Sequence, residues 1–127
     1  KKISRYIHLP VQSGSNKILK AMNRGYTAQD FLKLVKKIRS QAPDVAFGTD
    51  IIVGFPGETD KDFQDTVKLA KLAKFKIGFI AQYSPRPGTA SHRLLKDNIS
   101  PQVKKQRWQT LEDIINRPHL NTRPVIR

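Results

Sequence analysis

The sequence predicts an α/β chain in which parallel strands alternate with helices. Two observations carry this. Short apolar stretches at Arg5–Leu9, Val45–Val53 and Ile77–Tyr83 have strand length and are rich in β-branched or aromatic residues. The segments between and after them start with a capping hydroxyl and repeat their apolar residues with helical spacing. The order is β-α-α-β-α-β-α, and strands alternating with helices imply parallel strands joined by right-handed crossovers. Three strands are half of a usual barrel or doubly wound sheet, and both edges of such a sheet would be exposed. The chain is therefore read as a piece of a larger domain, or as a unit that pairs with something.

Taken in order, Pro10 stops the first strand, and the loop Val11-Gln12-Ser13-Gly14-Ser15-Asn16 follows. Ser15 or Asn16 can cap a short helix over Lys17–Asn23, with Ile18, Leu19 and Met22 inward and Gly25 closing it as a left-handed residue. Thr27-Ala28-Gln29-Asp30 has capping-box form, and Phe31, Leu34, Val35 and Ile38 then fall on one helical stripe until Pro43 bars continuation. The second strand, β-branched and apolar almost without a break, runs into Gly54-Phe55-Pro56-Gly57-Glu58, where two glycines and a proline force a turn that exposes backbone. Thr59, with Asp62 three residues on, starts a helix to Lys74 whose inward face is Phe63, Thr66, Val67, Ala70 and Ala73. The third strand enters Ser84-Pro85-Arg86-Pro87-Gly88-Thr89, a loop with two prolines that cannot be helical. Ser100-Pro101 opens a last helix to Asn116 with Trp108, Leu111 and Ile115 on one face, ended by Pro118. Residues 117–127 read as an irregular tail.

The chain has 127 residues, enough for one modest core. Its net charge of +14 suggests a polyanionic partner, most simply nucleic acid, with weak and salt-sensitive binding; a lysine-rich solvated surface is the bland alternative. The absence of cysteine excludes disulfides, thiolate nucleophiles and cysteine-ligated metals within this chain. Nothing reads as a membrane span or as a signal peptide, and a cytoplasmic location without membrane contact is expected.

All three strands run into loops rich in Gly, Pro, Ser or polar side chains, and in a parallel array such loops share the carboxyl-end face where α/β folds bind ligands. The candidates are Gln12 and Ser13, then Gly54 to Glu58, then Tyr83, Ser84, Arg86 and Thr89. Glu58 reads more simply as a first-turn helix acid than as a base. Asp50 reads equally as a bonded core acid or a site residue, and His8 as a satisfied core histidine. Arg86, stiffened between prolines, suits a phosphate, a carboxylate or a base edge. No Ser-His-Asp, HExxH or Walker pattern is present.

Four of these stretches occur in this order and spacing in a known family: His8-Leu9-Pro10-Val11-Gln12-Ser13-Gly14-Ser15, Met22-Asn23-Arg24-Gly25-Tyr26-Thr27, Thr49 through Thr59, and Tyr83 through Thr89. From Ile3 to Leu111 the chain resembles the radical S-adenosylmethionine methylthiotransferases. Within them it is most similar to the branch acting on isopentenylated adenosine beside the tRNA anticodon; the threonylcarbamoyladenosine branch is the nearer competitor and the ribosomal-protein branch the further one. The resemblance implies a partial (β/α)6 barrel whose last three strand–helix units are residues 1–116. It implies S-adenosylmethionine and [4Fe–4S] clusters as cofactors and tRNA as partner, together with the missing N-terminal half of the same enzyme. It places Gln12 and Ser13 near the ribose and methionine of the cofactor, Ile52, Val53, Gly54 and Phe55 against adenine, Tyr83 and Ser84 at the adenine through backbone, and Arg86 and Thr89 on the substrate side. The cluster cysteines of the family are absent here, so a fragment inert by itself is expected, and the open edges of three strands make it prone to aggregate. A non-catalytic basic RNA-binding half-barrel is the competing reading.

Overall fold

The computed structural model describes residues 5–84 and 97–120. Its strands, β1 (Tyr6–His8), β2 (Ala46–Val53) and β3 (Ile77–Gln82), form one parallel sheet in the order β1-β2-β3. The helices are α1 (Asn16–Ala21), α2 (Ala28–Gln41), α3 (Asp60–Ala73) and α4 (Pro101–Leu111). The expected parallel α/β half-sheet is what forms.

The caps are those the residue types dictate. Ser15, not Asn16, caps α1, and Thr27 and Thr59 each close a reciprocal box with Asp30 and Asp62. The left-handed residue after α1 is Asn23 (φ 63°), not Gly25, since asparagine tolerates this conformation through its short polar side chain. On α2 the buried stripe is Ala28, Phe31 and Val35, with Ile38 half-buried; Leu34, expected inward, is exposed. One helical stripe has room for either Leu32 or Leu34, and α3 lies on the Leu32 side, where Leu69 is buried.

The two faces of the sheet differ. Phe47, Thr49, Ile51 and Val53 are fully buried and face the helices, packing with Val35, Phe63, Leu111 and Ile115 among others. By register, Tyr6, His8, Gly48, Asp50, Ile52, Phe79 and Ala81 share the opposite face. No helix covers it among the described residues, and Tyr6, His8, Phe79 and Ala81 are exposed there. His8 is thus not the core histidine that its apolar neighbours suggest.

The expectation that both edges stay open fails at β3. Beyond Leu111 the last helix continues through a π-helical turn, Glu112–Asn116, and one more α-turn, Arg117–Leu120, so Pro118 does not end it. Asn116, in the π turn, accepts from Gly78 N–H and donates to Gly78 C=O, both at 2.8 Å, as a neighbouring strand would. Two turns earlier the Trp108 indole donates to Ile80 C=O at 2.9 Å. The edge of β3 is therefore paired by side chains. Asn116→Ala is expected to lower the stability of the chain by about 1–2 kcal/mol, by leaving two backbone groups without partners, and to raise its turbidity; urea unfolding with light scattering checks both.

Candidate functional site

The carboxyl end of β1 is built around a missing donor. Pro10 has no N–H and interrupts the ladder. The buried Thr49 hydroxyl takes over, donating to Leu9 C=O at 2.9 Å and accepting from Val11 N–H at 3.0 Å. Pairing resumes as a single bridge between Gln12 and Ile51, for which Gln12 adopts φ 73°. A non-glycine residue held in this region is unusual and marks a place where the surroundings over-determine the backbone. Gln12 is half-buried at the mouth of the sheet.

The next three residues turn the other way, into α3. Gly14 lies so close to that helix that a Cβ on it would stand 2.5 Å from Thr66 Cα and 2.6 Å from Asp65 O. Its N–H donates to the Thr66 hydroxyl at 2.8 Å, and Ser13 Oγ lies 3.3 Å from the same oxygen. Ser15 Oγ donates to Asp62 at 2.8 Å, and Asp62 also accepts from Thr59 N–H and from Lys17 Nζ. Burial by itself would raise the Asp62 carboxyl; the donors from Lys17, Thr59 and Ser15 outweigh it and hold it at about 2 against the ordinary 3.8. Ser13 is therefore part of a clamp between the first loop and α3, and Gln12 remains at the strand end.

The Gly54-Phe55-Pro56-Gly57-Glu58 turn closes on a buried carboxylate. Gly54 and Gly57 have φ 76° and 85°, as expected of glycines in a tight turn. Glu58, only 2% exposed, precedes the cap and is no first-turn acid. It accepts from Gly54 N–H at 2.8 Å and from Arg107 at 2.9 Å, and Arg107 also donates to its backbone carbonyl at 3.1 Å. Burial pushes its carboxyl upward, while the Gly54 N–H and the Arg107 guanidinium pull it back. Ile52 is half-buried on the open face, and Val53 is fully buried on the helix side. Phe55 meets Tyr83 edge-on at 5.2 Å, and Tyr83 N–H donates to Val53 C=O, so the second and third strand ends lie together.

Arg107 and Lys104 were not singled out by the sequence reading. Lys104 Nζ donates to Tyr83 C=O at 2.9 Å and pairs with Asp97 at 2.7 Å, while its stem fills the space where a Cβ on Gly54 would lie. The signal was present in the spacing: 104, 107, 108, 111 and 115 form one helical stripe, and two of its members are basic. Ser84 is exposed next to Tyr83, and Arg86 and Thr89 lie outside the described residues.

No group of His, Cys, Asp or Glu able to hold a metal occurs among the described residues, and the sequence has no cysteine. The described residues therefore offer no set of ligands that fits an iron–sulfur cluster. Gln12, the Gly54 turn and Tyr83–Ser84 lie at the carboxyl ends of the three strands. No helix of the described residues is long and apolar enough to cross a membrane.

The parallel β/α half-sheet, with its strand-end loops at the carboxyl ends, is a segment of an α/β barrel fold. Residues 1–70 match the Radical SAM superfamily, and the chain belongs to it. It is 54% identical over 110 residues to the tRNA-2-methylthio-N(6)-dimethylallyladenosine synthase of Fervidobacterium nodosum, covering 87% of this chain and 26% of that protein. It is 45% identical over 120 residues to the synthase of the same name from Ehrlichia ruminantium, covering 94% of this chain and 27% of that one. The chain thus spans about a quarter of the length of these relatives. Among solved structures, a chain described as coproporphyrinogen III oxidase from Escherichia coli, a radical SAM enzyme, superposes with a TM-score of 0.71 over 86% of this chain and 26% of its own, at 22% identity, a likeness of fold.

Two expectations follow from the clamps. Because Asp62 titrates lower when folded than the ordinary 3.8, its contribution is fully present above that pH and is lost as the pH falls through about 2. Asp62→Asn should cost ~2 kcal/mol at neutral pH and flatten the acid limb of the stability curve, as read by urea midpoints across pH. Arg107→Met should cost about 3–5 kcal/mol, since it strands a buried carboxylate, whereas Glu58→Gln should cost less; urea unfolding of both variants separates them.

Proposed function

We propose that this chain is the part of a radical S-adenosylmethionine tRNA methylthiotransferase barrel that binds the cofactor, in an enzyme adding a methylthio group at position 2 of N6-dimethylallyladenosine in tRNA. One observation carries the reading: the ends of all three strands, at Gln12, Gly54 and Tyr83, lie together at the carboxyl end of the sheet, bridged by the pairing of Gln12 with Ile51 and of Tyr83 with Val53. The identity to the synthases over most of this chain supports the choice of reaction.

In this reading Gln12 binds the ribose or aminoacyl part of S-adenosylmethionine, Ile52, Gly54 and Phe55 pack against adenine, and Ser84 closes the far side. Ser13 and Val53 act from behind, holding the loop and the strand to the helix layer. Arg86 and Thr89 serve the tRNA side, where the net charge of +14 favours a polyanion. S-adenosylmethionine supplies the reactive adenosyl fragment when bound; this chain orients it and keeps water from it. A second reading, a non-catalytic RNA-binding module, is favoured by the charge and by the lack of cysteine.

The test is a chimera in which residues 5–116 replace the matching quarter of the Fervidobacterium nodosum synthase, with tRNA digests analysed for the methylthio nucleoside. Product at the parent's level supports the proposal; tRNA binding without product favours the second reading. Gly54→Val is a poor probe of the cofactor, because a side chain there meets Lys104 and an unfavourable φ. Gln12→Ala in the chimera is the better one: it should weaken S-adenosylmethionine binding by about 1–3 kcal/mol while leaving the chimera's iron content unchanged. Wild-type cofactor affinity in that variant would remove Gln12 from the site.

A further inference from the structure

Lys104 is a buried cation to which the proposed function gives no role. It shares the buried face of α4 with Arg107 and Leu111 and is itself only 7% exposed. A lysine is rarely this deep unless its ammonium is paired. Here Nζ donates to Tyr83 C=O at 2.9 Å and to Asp97 Oδ2 at 2.7 Å, and it lies 5.5 Å from the centre of the Tyr83 ring.

The ammonium stands where the sheet stops. Tyr83 N–H still donates to Val53 C=O across β2 and β3. Beyond it β2 turns away at Gly54, whose φ is 76° and whose N–H goes to Glu58. Tyr83 C=O therefore takes its donor from Lys104 and not from a strand. The same side chain braces the turn, since a Cβ on Gly54 would collide with Lys104 Cγ. Next to Asp97, the Asn98 side chain accepts from Gly57 N–H at 3.0 Å. The stem of Lys104 thus touches the second strand end, its ammonium holds the third, and the residue after its carboxylate partner returns to the Gly54 turn. Glu58 Oε2 and the Tyr83 hydroxyl, on the two elements joined here, are buried with no protein partner among the described residues. Buried polar atoms left open are unusual in a frame that serves stability alone.

An ammonium shared between two segments fixes their spacing as well as balancing a charge. We infer that Lys104 is a positioning residue for the ligand at the strand ends: it sets the gap between the Gly54 turn and Tyr83–Ser84, with Asp97 holding its ammonium in place. It acts through those two segments and not by contact with the ligand. The inference rests on the proposed function for the identity of that ligand, S-adenosylmethionine. Lys104→Met keeps the apolar stem against Gly54 and removes the donor, whereas Lys104→Arg keeps donors for both acceptors. Asn116→Ala is the matched comparison, because it loosens the same strand at Gly78, the end away from the mouth.

Two measurements test it. In the full chain, amide hydrogen exchange at Tyr83 and Gly54 should quicken roughly tenfold in Lys104→Met, with Gly78 unchanged; Asn116→Ala should show the reverse pattern. In the chimera, equilibrium dialysis with S-adenosylmethionine should show roughly tenfold weaker binding in Lys104→Met and a smaller loss in Asp97→Asn. Lys104→Arg should restore the affinity, and Asn116→Ala should leave it unmoved. Exchange that quickens equally at all three amides would mean that Lys104 only packs α4 and would overturn the inference. So would unchanged cofactor affinity in a folded Lys104→Met chimera, or an equal loss in Asn116→Ala. The two proposals fail differently. Cofactor binding that depends on Lys104, in a chimera that forms no methylthio nucleoside, leaves this inference standing and the function fallen. Product together with unchanged affinity in Lys104→Met does the opposite, and a chimera with wild-type Lys104 that binds no S-adenosylmethionine overturns both.

Discussion

The ion pair between Glu58 and Arg107 joins residues 49 positions apart, and much of the carboxyl-end architecture depends on it. Both partners are nearly buried, so neither can be left alone without a large desolvation cost. Satisfying Glu58 draws α4 across the Gly54 turn. Once Arg107 is docked, helical spacing brings Lys104 to the end of β3, Trp108 to its middle and Asn116 to its start. One buried carboxylate thus shapes the Gly54 turn and, through the helix it holds, seals a sheet edge.

The first strand end is secured by a different device with the same logic. Pro10 removes a donor, and Thr49 restores the continuity between β1 and β2. The Ser13-Gly14-Ser15 segment then fastens to α3 through Thr66 and Asp62. With those residues committed to the helix layer, Gln12 is left at the mouth of the sheet in a left-handed conformation. The backbone geometry at this point is imposed by its neighbours, through the pairing of Gln12 with Asp50 and Ile52. The two faces of the sheet follow from the same division: the helix side is filled, and the open side keeps polar and aromatic groups available.

The sequence by itself determined the element types, their order and the parallel class, because periodicity, caps and glycine–proline punctuation are local properties. It also located the turn at Gly54 and the serine-rich loop. It did not determine which way their side chains turn. Ser13 and Val53 belong to the helix side, a matter of pleat and register that no local motif encodes. His8 has apolar neighbours and still lies on the open face, because burial depends on which side of the sheet the helices occupy. Leu34 fits the amphipathic stripe of α2 and is exposed, because the position of α3 selects the face. The role of Glu58 was hidden for a related reason: its partner lies far along the chain, on a helix whose basic residues read locally as solvated surface. Pro118 is a helix breaker in sequence, but here the π turn and the contacts of Asn116 with β3 carry the helix past it. Local chemistry set what each segment becomes; packing between distant segments decided which groups stay at the open mouth of the sheet and which hold the frame.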